Sequence, residues 1–379
     1  MPEAAAEQRR SIPLRFAFEG ELQDLTPNYG EGHINDTVLV RCRLADGTLR
    51  RYILQRINQH VFREPEGLME NIVAVTSWLR EKARANGGDP SRETLTVIPT
   101  KDGANWLVDE SGEYWRCYDF VEDTVTLQAA RSPEDLKLAG RSFGRFMSLL
   151  DDFPAEKLHV TIPRFHDTVH RYEQVMDALK ADPQQRGPGC RDEIAFVEAR
   201  YEHCSWLLDR LADGSLPLRV THNDTKLNNI LFDATTGEGI CVVDLDTVMP
   251  GLAAYDFGDA VRFGASTAAE DERDLSRVHF SLELFRAYAE GFLEVAGGVI
   301  DEIELESLAW GARLITLTIG MRFLADHLNG DVYFKISRPG HNLDRARTQF
   351  KLVQDIEAHW DELLAILREA HAASGKQGT

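Results

Sequence analysis

Two short polar stretches carry the residue types that could do chemistry in this chain. The first is HNDTKLNN (222–229), and the second, further along, is VVDLD (242–246). Together they bring three carboxylates, one ammonium and three amides into a short length of sequence, among them Asp224, Asp244, Asp246, Lys226 and Asn229. Such groups are costly to bury beside apolar strands unless they are paired or used. We therefore infer that both stretches belong to a functional site.

This set of groups suits the transfer of a phosphoryl group, a reaction that requires mainly positioning and charge neutralisation from a protein. A carboxylate such as Asp224 can accept the proton of an attacking hydroxyl. An amide oxygen and a second carboxylate, as on Asn229 and Asp244, are the hard ligands that Mg²⁺ prefers. Asn and Asp also favour turns, so HNDTKLNN alone could be a polar turn. The spacing together with VVDLD favours catalysis.

The neighbouring sequence predicts where these groups lie. ILF (230–232) and ICVVDLD (240–246) are short apolar runs joined by TTGEG, which predicts a β-hairpin. HNDTKLNN is then the loop that enters the hairpin. We expect His222 to brace this loop, and Asp256 and Asp259 in AAYDFGD to hold it rather than contact a substrate. Asp246 could belong to the site or support it.

The N-terminal part of the chain predicts a small β-rich module, and the remainder is helical. Apolar runs predict strands at 38–44, 51–57, 94–100, 105–109 and 113–121. Apolar residues at helical spacing predict a helix over 68–85 and a series of helices after about residue 123. We therefore predict an α+β fold with two lobes, 1–121 and 122–379.

Composition excludes several classes of function. Lys and Arg number 42 against 62 for Asp and Glu, a net charge of -20. So acidic a surface repels phosphate backbones, which argues against a nucleic-acid binder. We find no apolar run long enough for a membrane span and no secretory signal, and the five cysteines are scattered. These features predict a cytoplasmic protein with reduced thiols.

The spacing H-x-D-x-K-x-x-N, followed by an Asp after a hairpin, resembles the catalytic loop of kinase-like folds. With VDLDT and AAYDFGD, the chain resembles the aminoglycoside phosphotransferase and choline kinase superfamily. Further stretches are similar to the N-acetylhexosamine 1-kinases within it: GEGHINDT, YILQRIN, GLMEN, IPRFHDT and MRFLADHLNGDVYFKI. The resemblance implies a bilobal protein-kinase-like fold, with a small antiparallel-sheet N-lobe and a larger, mainly helical C-lobe.

The resemblance also implies ATP and Mg²⁺ as cofactors and assigns roles to the polar residues. Asp224 would be the base that orients the acceptor hydroxyl, and Lys226 would neutralise the transferred phosphoryl group. Asn229 and Asp244 would hold Mg²⁺. Asp246 is a further metal candidate, because related small-molecule kinases carry an acid at that position.

A nucleotide site is implied in the N-terminal lobe. GEGHIN would cover the phosphates, although Asn35 stands where the third glycine of GxGxxG belongs. Arg56 takes the place of the lysine that protein kinases carry on strand β3, and Glu70 would be its partner. Adenine would bind the backbone of YDFVE (118–122). The residues assigned to the nucleotide are Gly30, Gly32, Arg56, Glu70, Asp119 and Val121.

An acceptor site is implied around a late helix and the loop that follows it. Arg322 and Asp326 are four residues apart and would share a helix face. Asp167 is a further candidate. The residues assigned to the acceptor are His33, Asn35, Asp224, Arg322, Asp326 and Tyr333.

The implied function is ATP-dependent phosphorylation of a hexosamine, N-acetylglucosamine or N-acetylgalactosamine, at the anomeric C1 hydroxyl. Two alternatives stay open: a kinase of the same fold for another sugar, an aminoglycoside, choline or homoserine, and a non-catalytic binding protein. We expect a monomer or homodimer with small-molecule partners.

Overall fold

Residues 11–30 and 34–375 are described by the structure, which is a computed structural model. The chain forms two units. The first contains the described residues up to Val125, together with Glu156–Ile162 and Leu231–Met249. The second contains Thr126–Ala155, Pro163–Ile230 and the described residues from Pro250 onward. A single boundary at residue 121 does not describe the later segments of the first unit; as a division into lobes it stays a prediction.

The first unit is built on an antiparallel sheet, as predicted. Its strands are β1 (Glu21–Pro27), β2 (Asp36–Arg43), β3 (Leu49–Arg56), β4 (Leu107–Val108) and β5 (Tyr114–Asp119). They lie in the order β1-β2-β3-β5-β4. The polar edge strand β1 was not predicted because its sequence, ELQDLTP, lacks apolar alternation. The strand predicted over 94–100 was wrong: this segment makes isolated bridges at Val97 and Thr100 within the described residues.

The two faces of this sheet have different partners. Tyr52, Leu54, Trp115 and Cys117 are buried in one core with Phe16. Because successive side chains of a strand point to opposite faces, the residues between them point the other way. This alternation decides which basic residue shares a face with the VVDLD segment.

A helix and a small sheet complete the first unit. Helix α1 (Pro65–Ala85) begins with proline at its first position, where a missing N–H costs nothing. Helix α2 (Pro90–Glu93) follows it. The small sheet contains β6 (Thr124–Val125), β8 (Ile230–Asp233) and β9 (Gly239–Val242). The predicted hairpin is therefore present, and β9 ends two residues before Asp244.

The second unit is mainly helical, as predicted. Its helices are α3 (Pro133–Leu149), α4 (Thr168–Ala181), α5 (Arg191–Glu198), α6 (Trp206–Ala212), α7 (Ala253–Gly264), α8 (Leu282–Ala296), α9 (Glu302–Leu328), α10 (His341–Ala358) and α11 (Trp360–Ser374). A short two-stranded sheet pairs β7 (Arg219–Thr221) with β10 (Met249–Gly251). Strand β7 leads directly into HNDTKLNN.

Helix α9 is long and apolar enough to cross a membrane by length and composition, but 83% of its most apolar window is buried within the protein. A helix that is apolar on all sides belongs in a core. Gly311 on α9 and Gly258 on α7 allow the two backbones to meet: a Cβ at Gly311 would lie 2.0 Å from the Ala254 carbonyl oxygen. The core helix therefore fixes the position of α7.

One buried side chain of α1 joins three segments of the first unit. Asn71 Nδ2 donates to the carbonyl oxygens of His159 (2.8 Å) and Val248 (3.0 Å), and Asn71 Oδ1 accepts from the His159 N–H (2.8 Å). Asn71 is 1% exposed. The segments that follow Ala155 and β9 are thus both tied to the helix.

Replacing Asn71 with alanine should lower the free energy of unfolding by about 2–4 kcal/mol, because buried backbone groups lose their partners. Urea unfolding at neutral pH measures this loss. The neighbouring Glu70→Ala is the control: Glu70 is exposed, and its removal should change stability by less than about 0.5 kcal/mol. Equal effects of the two substitutions would show that Asn71 does not join these segments.

Candidate active site

The loop HNDTKLNN is held by two acids of α7, as predicted. Asp256 accepts hydrogen bonds from the backbone N–H groups of His222 (2.8 Å) and Asn223 (2.7 Å). Asp259 accepts from the N–H of Thr225 at 3.0 Å. Asn223 has a φ of 65°, a left-handed conformation that asparagine tolerates better than most residues. The loop therefore turns sharply, and its backbone donors point into the helix.

The two acids of α7 differ in their electrostatics. Burial raises the pKa of Asp256 to about 6, although His222 and the loop amides oppose the shift. Burial also acts to raise the pKa of Asp259, but Arg262 and then Lys226 outweigh it and lower that pKa. Arg262 lies 3.2 Å from Asp259 and 3.1 Å from Glu270. Asp259 is thus a carboxylate fixed between two cations.

Three of the predicted catalytic residues meet within the loop. Lys226 Nζ lies 2.7 Å from Asp224 Oδ1, and Asn229 Nδ2 lies 3.2 Å from Asp224 Oδ2. Asn229 Nδ2 also donates to the Asp224 carbonyl oxygen at 2.8 Å. The amide nitrogen of Asn229 is therefore committed to Asp224, and its carbonyl oxygen is the end that can face a cation.

Lys226 is held as a cation beside Asp224. Burial acts to lower the pKa of Lys226, but the carboxylates of Asp224 and Asp259 outweigh it and raise that pKa. His222 is fully buried against the edges of Phe143 and Phe146, and its Nδ1 accepts from the N–H of Asp224 at 3.3 Å. The prediction that His222 braces the loop is confirmed.

The VVDLD segment lies in the first unit. Asp244 has a left-handed backbone, with φ 60° and ψ 55°, which positions the acid directly after the hairpin. Asp246 is 3% exposed and pairs with the buried guanidinium of Arg116, and its Oδ2 accepts from Asn35 Nδ2 at 2.6 Å. Both oxygens of Asp246 are therefore engaged by the protein, and its assignment as a metal ligand stays a prediction.

The predicted ion pair between Arg56 and Glu70 is wrong. Arg56 donates from Nε to Asp36 at 3.0 Å and lies 3.4 Å from Glu113, whereas Glu70 lies 2.6 Å from His159. Arg56 shares the core face of β3 with Tyr52 and Leu54, by strand alternation. One residue earlier, Gln55 points to the opposite face, opposite Arg116 of β5.

The other residues assigned to the nucleotide or the acceptor in the first unit have varied surroundings. Gly32 and His33 lie outside the described residues. Gly30 has a φ of 84°, which favours glycine. Asn35 is engaged at both ends, because its Oδ1 accepts from the N–H of Asn58 at 3.0 Å. Asn35 therefore connects Asp246 to the segment after β3, and its assignment to the acceptor stays a prediction.

The predicted adenine contacts lie at the end of β5. The carboxylate of Asp119 pairs with Arg50 at 2.6 Å, and its N–H donates to the Thr96 carbonyl oxygen at 2.9 Å. The carbonyl oxygen of Val121 accepts from Thr124 Oγ1 at 3.0 Å. The assignment of Asp119 and Val121 to the nucleotide stays a prediction.

Two of the acceptor residues in the second unit come together. Arg322 lies among three aromatic rings, with its guanidinium carbon 5.4–5.8 Å from the ring centres of Phe165, Tyr333 and Phe334. Burial lowers the pKa of Arg322, and a hydrogen bond with Tyr333 opposes the shift. The ring of Tyr333 is 68% exposed. An arginine lined by aromatic faces with an exposed tyrosine can bind a polar small molecule.

The carboxylates assigned to the acceptor make hydrogen bonds within the protein. Asp326 accepts four hydrogen bonds of 2.8–2.9 Å, from Asn342 Nδ2 and from the N–H groups of the loop 332–334. Arg322 and Asp326 both lie on α9, and the assignment of Asp326 to the acceptor stays a prediction. Asp167 caps α4 by accepting from the N–H of His170 at 2.8 Å and also binds Arg164.

A second arginine makes this region positive. Burial lowers the pKa of Arg171 to about 10, and the charge of Arg322 acts in the same direction. Arg171 Nε is buried and has no hydrogen-bond partner in the described part of the chain. The pair Arg171 and Arg322 therefore has donor capacity for oxygen atoms of a ligand.

A cavity of about 450 Å³ opens beside the loop within the second unit. Its wall includes Thr225, Lys226, Arg262, Tyr288 and Gln349. Tyr288 Oη and Gln349 Oε1 are buried, with no hydrogen-bond partner in the described chain. Small polar molecules can therefore lie next to the ammonium that contacts Asp224.

A profile of the phosphotransferase enzyme family (APH) matches residues 27–293, which include the loop, the hairpin, the VVDLD segment and α7. The chain belongs to this phosphotransferase family. The match spans more than half of the 379 residues, so the superfamily predicted from HNDTKLNN is confirmed.

Solved structures place the phosphotransferase among small-molecule kinases in fold. An aminoglycoside phosphotransferase from Alicyclobacillus acidocaldarius is 14% identical, with 96% of each chain covered and a TM-score of 0.59. An amicoumacin kinase in complex with AMP-PNP, Ca²⁺ and amicoumacin is 12% identical, covering 93% of this chain and 96% of that one, with a TM-score of 0.55. The choline kinase from Cryptosporidium parvum is 15% identical, covering 91% of this chain and 92% of that one, with a TM-score of 0.53. The kinase-like fold is thereby confirmed.

Sequence reasoning missed two buried polar residues that join segments of the first unit. Arg116 was read only as part of an apolar strand, EYWRCYDFV, although a charged residue in such a strand signals a buried partner. Asn71 was quoted in GLMEN without a role. Its signal was equally available, since a polar residue on the apolar face of a predicted helix requires hydrogen-bond partners.

The buried His166 predicts how stability depends on pH. Burial lowers the pKa of His166 to about 4, helped by Arg322 and opposed by Asp259. In the unfolded chain its pKa is about 6.5. Between these values only the unfolded state takes up the proton, so the free energy of unfolding falls as the pH drops from 6.5 to 4. A shift of this size corresponds to about 3 kcal/mol.

His166→Phe keeps the ring beside Tyr255, which lies 5.1 Å away, and removes the titration. Urea unfolding at pH 7 and pH 4 measures how much the free energy of unfolding falls between these two pH values. In this variant the fall should be smaller than in the wild type by about 2–3 kcal/mol. The exposed His60→Phe is the control and should keep the wild-type dependence. If the His166 variant kept the wild-type dependence of stability on pH, His166 would not be the cause of that dependence.

Proposed function

We propose that this phosphotransferase transfers the γ-phosphoryl group of ATP to a hexosamine, N-acetylglucosamine or N-acetylgalactosamine, at the anomeric C1 hydroxyl. The observation that carries the proposal is the assembled loop, in which Asp224, Lys226 and Asn229 meet on a backbone fixed by α7. A carboxylate beside an ammonium can orient a hydroxyl and accept its proton while the phosphoryl charge is neutralised.

Asn229 and Asp244 are proposed as the Mg²⁺ ligands, and their chemistry fits the ion. Asn229 has its amide nitrogen on Asp224, which leaves an oxygen for the ion, and Asp244 supplies a carboxylate. The hairpin sets the position of both residues in the chain: Asn229 directly precedes β8, and Asp244 follows β9. Bound Mg²⁺ would neutralise charge on the phosphates. The amicoumacin kinase with its nucleotide analogue and Ca²⁺ supports a divalent ion and ATP.

The charge around Arg322 supports a neutral acceptor over a cationic one. Arg171 and Arg322 are two cations close enough that the charge of Arg322 helps to lower the pKa of Arg171. The nearby carboxylates of Asp167 and Asp326 are already engaged in hydrogen bonds. An amine acceptor such as choline or an aminoglycoside would require free carboxylates here. A sugar offers hydroxyl and carbonyl oxygens that arginine and tyrosine can bind.

The choice of hexosamine among neutral acceptors comes from the resemblance of IPRFHDT and MRFLADHLNGDVYFKI. Phe165 and Asp167 belong to the first stretch, and Arg322 and Tyr333 belong to the second, so both stretches form the same region of the second unit. Other sugars are the alternative for this site. We also propose that the protein is cytoplasmic, because its five cysteines are buried and free.

A panel of acceptors tests the substrate. With Mg²⁺ and ATP, ADP release should be fastest with N-acetylglucosamine or N-acetylgalactosamine, and choline, ethanolamine and an aminoglycoside should be at least about 100-fold slower in kcat/KM, because two arginines oppose a cation. A 1-O-methyl glycoside is the matched control, since it lacks the C1 hydroxyl and should give no turnover. Preference for an amine would overturn the sugar assignment.

The role of Asp224 as base has its own test. Asp224→Asn should lower kcat by about 10²–10⁴-fold, because general-base catalysis is lost. The affinity for Mg²⁺ and AMP-PNP, measured by calorimetry, should stay within about twofold of wild type. Wild-type turnover in this variant would exclude Asp224 as the base.

A further inference from the structure

The cation that pairs with the VVDLD segment is Arg116 of β5, and not a residue of β3. Thr37, Gln55 and Arg116 lie directly opposite one another across β2, β3 and β5, so they share one face of the sheet. Gln55 Nε2 donates to Thr37 Oγ1 at 3.1 Å, and Arg116 Nε donates to Gln55 Oε1 at 3.0 Å. This row ends at Asp246, which pairs with Arg116.

The pair of Arg116 and Asp246 is unusual in its burial. Arg116 and Asp246 are 1% and 3% exposed. A buried ion pair contributes little net stability, because removing two charges from water offsets their attraction. The pair is better explained by what it positions. Burial acts to lower the pKa of Arg116, but the carboxylate of Asp246, and also that of Asp244, outweigh it.

Arg116 also reduces the negative charge of the VVDLD segment. Asp244 and Asp246 are two acids one residue apart, and like charges repel at that spacing. Arg116 neutralises Asp246, and this reduces the repulsion that Asp246 would exert on Asp244. Asn35 extends the network from Asp246 to the backbone of Asn58, just after β3. The network therefore joins the start of β2, β3, β5 and the segment that carries Asp244.

We propose that Arg116 is a positioning residue that, through its ion pair with Asp246, fixes Asp244 for binding the divalent cation of the nucleotide. The proposal rests on the proposed function, in which Asp244 is a metal ligand. It assigns Gln55 as the side chain that orients Arg116. Arg56, on the opposite face of the sheet and paired with Asp36, has no part in it.

The experiment measures metal affinity without turnover. Mn²⁺ binding is followed by electron paramagnetic resonance with saturating AMP-PNP, and metal-free AMP-PNP affinity is measured by calorimetry. Arg116→Met should raise the Kd for Mn²⁺ about 10–100-fold, the size expected for a partner of a metal ligand. Metal-free nucleotide affinity should stay within about twofold. Arg116→Lys should recover part of the Mn²⁺ affinity.

Two further variants keep the test decisive if Arg116→Met folds poorly. Gln55→Leu removes the hydrogen bond that orients Arg116 but leaves the ion pair, and should raise the Kd for Mn²⁺ about threefold or more. Arg41→Met is the matched control: Arg41 is on the same face of β2 and pairs with Asp24 at 2.6 Å. It should leave the Kd unchanged. Thermal melts confirm that each variant is folded at the assay temperature.

The outcomes separate the two proposals. Wild-type protein that binds no Mn²⁺ with AMP-PNP would overturn the proposed function itself. Wild-type binding with an unchanged Kd in Arg116→Met and Gln55→Leu would overturn the role of Arg116 and leave the function standing. If Arg56→Met raised the Kd for Mn²⁺ as much as Arg116→Met does, the positioning role would belong to Arg56 of β3 as well, and the assignment to Arg116 alone would be overturned.

Discussion

The site depends on hydrogen bonds from the backbone of one loop to the carboxylates of one helix. Asp256 and Asp259 of α7 accept the N–H groups of His222, Asn223 and Thr225. Buried carboxylates are costly unless they receive such charge-assisted bonds, so loop and helix stabilise each other. Asp224 and Asn229 are then held on a backbone that is already ordered, which reduces the cost of arranging them at each turnover. Helix α7 is fixed in turn by its contact with α9, where Gly258 and Gly311 allow the backbones to meet.

Charge is distributed unevenly in this protein, and the distribution has a functional meaning. The chain carries a net charge of -20, yet Arg171 and Arg322 form a positive region lined by aromatic rings. The overall acidity, taken alone, would suggest a cationic substrate. The local arrangement instead supports the proposed neutral acceptor, because the carboxylates near the two arginines already accept hydrogen bonds within the protein. Attraction over a few ångströms is much stronger than the screened field of distant surface acids, so the local charges decide.

The sequence predicted the loop HNDTKLNN, the hairpin, the antiparallel sheet and the helical second unit, since each has a local pattern. It failed where the outcome depends on tertiary partners. The resemblance implied that Arg56 pairs with Glu70, but Arg56 lies on the core face of β3, and a shift of one residue reverses the face of a strand. The partners of Asp326 are Asn342 and N–H groups of the loop after α9, which helical spacing does not reveal. The role of Arg116 required the register between β3 and β5, which no single strand reveals.

The central claim is that an ordered loop, held on α7, presents Asp224 and Asn229 to a metal-bound nucleotide. A crystal structure with Mg²⁺, AMP-PNP and N-acetylglucosamine tests it most directly. The account predicts an oxygen of Asn229 and one of Asp244 at about 2.1 Å from the ion. It also predicts Asp224 within hydrogen-bond reach of the sugar C1 hydroxyl, and a loop backbone within about 1 Å of its present conformation. An ion bound by other residues, or a loop that leaves Asp256 and Asp259 when the ligands bind, would contradict it.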